Sequence, residues 1–103
     1  MKPTTMLSAL AVLLLGALGS AAAADIEAGK AKAAVCSNCH GANGEGAGQN
    51  PPLAGMAEGR FVQAMKDYKS GKRPHAMMKG FASKLDDAET ANVAAYFASL
   101  KKK

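Results

Sequence analysis

The apolar and polar positions of this chain separate into blocks of different character. Residues 6–18 form an apolar run of 13 with one serine, preceded by Lys2 and followed by Ala22-Ala23-Ala24. No face of the run is polar, so it does not read as an amphipathic helix of the folded protein. A membrane span needs about 20 apolar residues, so the run is too short to stay as an anchor. A basic start, a short apolar stretch and a small-residue site predict a secretory signal peptide over residues 1–24, cleaved after Ala24. The protein is expected to be exported.

Past that point the periodicity is helical. Asp25 predicts the cap of a helix running to about residue 35, with Gly29 and Ala33 on one small-residue face. Residues 39–55 hold Gly41, Gly44, Gly46, Gly48 and Pro51-Pro52 and read as loop. Within it 42–49 reads as a flexible connector and the prolines as something more fixed. Phe61, Val62, Met65 and Tyr68 recur at spacings of 1, 3 and 3, which predicts a short amphipathic helix over 58–68 that Ser70-Gly71 ends. The segment between Pro74 and Gly80 reads as irregular. Asp86 begins the last helix, with Glu89 three residues on as a capping box. Its apolar face is Val93, Tyr96, Phe97 and Leu100. No alternating β-branched run occurs after residue 24, so the chain is all-α, with one domain over residues 25–103.

Composition sharpens this picture. The overall 49% of apolar residues averages the leader with a much poorer remainder. From Asp25 onward 34 residues are apolar, but 16 of them are alanine and two are cysteine. That leaves 16 larger apolar side chains in 79 residues, without a tryptophan. Chains this short often need a disulfide, a metal or another staple to complete a core. Something other than protein is expected to fill this one.

The cysteines suggest what. In an oxidising compartment two cysteines usually mean a disulfide, but Cys36 and Cys39 are three apart and would close too small a loop to staple a fold. A zinc site lacks partners, since the only other histidine besides His40 is His75. A thioredoxin-like dithiol wants a βαβ setting that the pattern does not offer. Covalent haem attachment uses all three residues of C-x-x-C-H. Cys36 and Cys39 become thioethers to the vinyl groups, and His40 is placed under the iron as an axial ligand. For the other axial position the candidates are His75, Met56, Met65, Met77 and Met78. Met65 lies in the helical stripe and reads as core, and His75 beside Lys72-Arg73-Pro74 reads as a solvated loop residue. Met77 and Met78 stand where an irregular segment can present a thioether to a fixed point.

The order of export signal, short helix, C-S-N-C-H-G, proline-bearing loop, helix, methionine segment and final helix resembles a class I cytochrome c across residues 25–103. It is similar to the short bacterial monohaem members and to a single half of the dihaem periplasmic ones. The strings that carry the resemblance are residues 29–36, Pro51-Pro52-Leu53-Ala54-Gly55, residues 68–73, and Met77 through Tyr96-Phe97. It implies a small cytochrome c fold, three to four helices around one covalently attached haem c. In that family the ligand methionine commonly stands seven residues before the leucine that precedes the last helix. Counting back from Leu85 implies Met78, with Met77 packing beside it. The resemblance further gives Pro51 the carbonyl that fixes the ligand histidine's other ring nitrogen, and gives Leu53 a place on the haem face. It sets Gly29 or Ala33 against Tyr96 or Phe97. The family often has a larger side chain where this chain has Ala33-Ala34, so here either the crossing is closer or its partners differ.

A haem with histidine and methionine on its two faces has no open site for a substrate. No paired carboxylates near a base and no free nucleophile suggest an enzyme. The leading expectation is a soluble periplasmic electron carrier in a respiratory or related redox chain. Its redox partners would be a membrane donor complex, a terminal oxidase, or a periplasmic reductase or dehydrogenase. The alternative is a haem c subunit held to a catalytic dehydrogenase. A reading of a different class is a haem enzyme or gas sensor whose methionine leaves. The formal charge of +5 falls to +4 once the leader is removed. Export excludes nucleic acid as a partner, and no stable membrane span is expected after cleavage. The basic residues serve either as a solvated surface or to steer the protein toward an acidic partner.

Overall fold

The computed structural model describes residues 23–101. The expected signal peptide, residues 1–24, lies outside the described residues apart from its last two. Five helices follow in order: α1 (Ile26–Ala33), α2 (Ser37–His40), α3 (Glu58–Ser70), α4 (Ala76–Ser83) and α5 (Asp87–Ser99). The described residues contain no strand, only an isolated bridge between Ala47 and Asn50. The all-α expectation holds. The helix count exceeds three to four because a single turn carries Cys39 and His40, and because the methionine segment is helical.

Two helix starts follow from their side chains. The Asp25 carboxylate accepts the Ala28 N–H at 3.1 Å, relieving a donor that the first turn leaves unpaired. Asp86 and Glu89 form a full capping box: Glu89 N–H donates to Asp86 at 2.7 Å and Asp86 N–H donates to Glu89 at 3.0 Å. The helix α3 ends where Gly71 adopts φ 85°, a left-handed conformation that glycine takes without a Cβ penalty.

The first helix crosses the last at Gly29, which is buried. A Cβ there would run into the Asn92 carbonyl and lie 3.0 Å from the Val93 nitrogen. Gly29 therefore meets Asn92 and Val93, about one turn earlier on α5 than the expected Tyr96 or Phe97. Asp25 N–H also donates to the Asn92 side chain at 2.8 Å, tying the start of α1 to the middle of α5. Ala33 is buried in the same core cluster as Val93 and Phe97. The core is small. Phe97 and Val93 are its largest fully buried side chains, and the Phe97 ring lies 5.8 Å from that of Phe61 on α3. Tyr96 and Leu100, read as part of the buried face of α5, are only partly buried; Ala94 and Ala95 are buried there instead.

The α1–α5 crossing also carries an ion pair, Lys32 to Glu89 at 2.8 Å. Hydrogen bonds from Lys32 and from the Asp86 N–H hold the Glu89 carboxyl below its usual range, while Glu89 raises the Lys32 ammonium. A carboxyl depressed in the folded state stabilises above its unfolded pKa, and that contribution is lost as pH falls through the folded value. The lysine contribution is lost only at the alkaline end. Glu89→Gln keeps an acceptor for the Asp86 N–H but removes the charge. It is expected to melt below wild type at pH 7, with the gap closing toward pH 3. A gap independent of pH would show that ionisation of the pair contributes nothing.

Candidate cofactor site

The spacing of Cys36, Cys39 and His40 places all three on one side of a helical turn, since residues three and four apart are neighbours on a helix. The His40 N–H donates to the Cys36 carbonyl at 2.9 Å, closing that turn. His40 is buried, and its Nδ1 lies 2.7 Å from the Pro51 carbonyl oxygen. A carbonyl can only accept, so Nδ1 supplies the proton of this contact, which in the Nδ1–H tautomer leaves the lone pair on Nε2. That is the tautomer a metal requires.

The loop from 41 to 55 is a built wall of the site, contrary to the flexible connector read over 42–49. Gly46 N–H donates to the His40 carbonyl at 2.6 Å, and Leu53 and Ala54 both donate to the Gly44 carbonyl, at 2.7 and 2.9 Å. Asn50 donates its side-chain N–H to the Cys39 carbonyl at 2.8 Å. Gly44 adopts φ 70°, and a Cβ there would lie 2.8 Å from the Phe97 ring, so its identity follows from both conformation and space. These bonds deliver Pro51 to His40 and bury Leu53. Asn50 was not singled out by the sequence, because an asparagine in a glycine- and proline-rich loop is ordinary turn chemistry.

Opposite this wall stand α3 and α4. Residues 74–80, read as irregular, are helical from Ala76 onward. Met77 and Met78 occupy the first turn of α4, and His75 is its N-cap. The Met78 N–H donates to Nδ1 of His75 at 3.2 Å. Histidine is not among the usual capping residues, and Gly80 interrupts the pattern, so the sequence hid this helix. The two methionines differ in burial. Met77 is 62% exposed, whereas Met78 is partly buried and packed on the core cluster. Met65 is buried in the core, as its place in the stripe predicts.

Between these walls lies a cleft of about 1060 Å³, lined among others by Cys36, Cys39, His40, Pro51, Leu53 and Met78. That is slightly above the usual range of about 300–1,000 Å³ for small-molecule and cofactor sites, in a protein whose own core cluster holds nine buried residues. Its soft and nitrogen donors are the thiols of Cys36 and Cys39, the imidazoles of His40 and His75, and the thioethers of Met56, Met65, Met77 and Met78. Among the described residues, no three His, Cys, Asp or Glu side chains come together as a group that could hold a metal ion. Burial pushes the Cys36 thiol up, whereas reactive dithiols need a lowered one. Two neighbouring thiols beside an imidazole with its Nδ1 bound to a carbonyl, at a cleft this large, fit a covalently tethered group that carries a metal.

The family model "Cytochrome c" matches residues 26–101. This chain belongs to the cytochrome c family of electron-transfer haem proteins, and its C-x-x-C-H string fits the covalently bound haem c that the family implies. Within the family it is similar to cytochrome c4 of Pseudomonas aeruginosa, 49% identical over 92 residues covering 87% of this chain and 46% of that protein. It is also similar to the thiosulfate dehydrogenase electron acceptor of Thiomonas intermedia, 40% identical over 94 residues covering 89% of this chain and 43% of that one. Reduced cytochrome c4 from Pseudomonas stutzeri superposes with a TM-score of 0.73 at 35% identity, covering 79% of this chain and 48% of that structure. The chain spans about half the length of these relatives. No helix among the described residues is long and apolar enough to cross a membrane.

Proposed function

We propose that this chain is a periplasmic one-electron carrier using a His40/Met78-ligated haem c. The observation that carries the reading is the His40–Pro51 contact at 2.7 Å on one wall of the cleft, with Met78 on the other. When bound, haem c takes up and gives away one electron at a time at its iron. Cys36 and Cys39 would hold it by thioether bonds, and Pro51, bonded to the His40 Nδ1, would leave Nε2 as the ligand. Met78 supplies a soft, neutral thioether, which raises the potential relative to two histidines. Leu53, buried beside Pro51 in the cleft wall, would pack against the haem. With His40 and Met78 both holding the iron, no position would remain for a substrate, which supports transfer over catalysis. The leader read over residues 1–24 supports the periplasm.

Lys72, Arg73, Lys79 and Lys84 are exposed, and Arg73 and Lys84 also line the cleft, so encounter with an acidic donor is steered by charge. Lys72→Glu with Lys79→Glu is expected to slow reduction by a membrane donor complex about tenfold at low ionic strength. The effect should vanish in high salt, where screening acts over a few ångströms. Equal rates for wild type and variant at low salt would remove steering from the reading. The second reading, a haem subunit held to a dehydrogenase, is favoured by the similarity to a thiosulfate dehydrogenase electron acceptor. Co-elution with a dehydrogenase, and electron exchange with no other protein, would select it.

A further inference from the structure

The cap of α4 is unusual in what it touches. His75 has extended backbone, φ −170° and ψ 101°, and its Nδ1 accepts the N–H of Met78, the residue read above as the axial ligand. Its carbonyl accepts the Lys79 N–H at 2.8 Å, so side chain and main chain together fix the first turn. The ring is fixed in turn. It stands edge-on to the Tyr68 ring at 6.0 Å and 80°, and Tyr68 is a buried residue of α3. The Arg73 guanidinium lies over the same tyrosine at 4.8 Å, and the Arg73 N–H donates to the Asp67 carbonyl at 3.0 Å, pinning the turn that leads into His75. Through His75 the rigid helix α3 therefore sets the height and rotation of the first turn of α4, and with it the point from which Met78 extends. Aspartate, asparagine or serine would cap as well, but none offers a ring to lean on Tyr68.

We propose that His75 is a positioning residue for the axial methionine: by accepting the Met78 N–H while braced against Tyr68, it keeps the Met78 thioether over the cleft. The proposal rests on the reading of Met78 as ligand, and the same experiment tests both. Exogenous imidazole competes with a thioether for ferric iron, so its affinity for the intact haem protein reports how firmly the methionine is held. Met78→Ala is expected to bind imidazole far more tightly than wild type. His75→Ala should bind it roughly fivefold more tightly, in keeping with the loss of one capping interaction. His75→Asn, which restores the acceptor but not the ring on Tyr68, should return part of the way to wild type. The thermal midpoint of all three, followed by far-ultraviolet circular dichroism, separates local loosening from general instability. Wild-type affinity in His75→Ala alongside tight binding in Met78→Ala would overturn the positioning role alone. Failure of His75→Asn to recover would likewise overturn it, because the N–H acceptor would not be what matters. If Met78→Ala binds imidazole no better than wild type, Met78 is not the ligand and the proposal falls with that reading.

Discussion

Replacing Cys36 and Cys39 together by alanine is expected to give a chain that melts without a cooperative transition. The residues that would surround haem are poor partners for one another: Cys36, His40, Leu53 and Met78 line a cleft of about 1060 Å³. Of the nine buried residues in the core cluster, Leu53, Phe61, Met65 and Tyr68 also line that cleft, and three of the other five are alanine: Ala33, Ala82 and Ala94. A chain of this size has little stability to spare, and domains near or below about 70–80 residues rarely draw more than a few kcal/mol from one protein core. Without the covalent tether the apolar lining of the cleft faces water, and the conformational entropy of the loop from 41 to 55 is no longer offset. The measurement is thermal circular dichroism of the exported double variant beside wild type. A sharp melt in the variant would show that Phe97, Val93, Phe61 and Met65 suffice as a core.

Gly29→Ala is expected to be the most damaging single methyl addition in the described protein. In an open helix the change would stabilise, because alanine is the better helix former by about 1 kcal/mol. Here the new Cβ meets the Asn92 carbonyl, a backbone atom that cannot rotate away. The helix α1 would have to lift from α5, weakening the Asp25–Asn92 and Lys32–Glu89 contacts on the same interface. A cost of about 2–3 kcal/mol is in line with overpacked interiors, and in a domain this small it lowers the melting temperature by roughly 10–20 °C. Gly59, in α3, has nothing within 4 Å of the corresponding point. Gly59→Ala should therefore leave the midpoint unchanged or raise it by a few degrees. If both variants melt alike, the close crossing at Gly29 is not what holds α1 in place.

The legible parts of this protein were those written in short-range chemistry. C-x-x-C-H declares itself in five residues, the capping box of Asp86 and Glu89 in four, and the stop at Gly71 in one. The stripe of Phe61, Met65 and Tyr68 needed only periodicity. The order of the loop from 41 to 55 was not legible, because it is written in backbone hydrogen bonds to Gly44 and His40 that leave no mark on side-chain pattern. The helix α4 was hidden because a histidine caps it and only eight residues form it. The partner of Gly29 was misplaced by a turn for a related reason. A small-residue face says that two backbones approach, and says nothing about which residues of the other helix they approach. Met78 was set apart from Met77 only by the family spacing counted back from Leu85, and the two also differ in burial, Met77 exposed and Met78 partly buried.

The pairing of α1 with α5 also bears on how quickly the chain reaches its native form. Helical proteins commonly fold fast because their contacts are made between near neighbours in sequence. Here a contact that joins the first helix to the last spans 67 residues. Closing a loop of that length carries an entropic cost of roughly 4 kcal/mol beyond a length-independent constant, due before the helix contact returns anything. This small all-helical chain should consequently refold at the pace of a mixed α/β domain, slower than a bundle of consecutive hairpins of the same size.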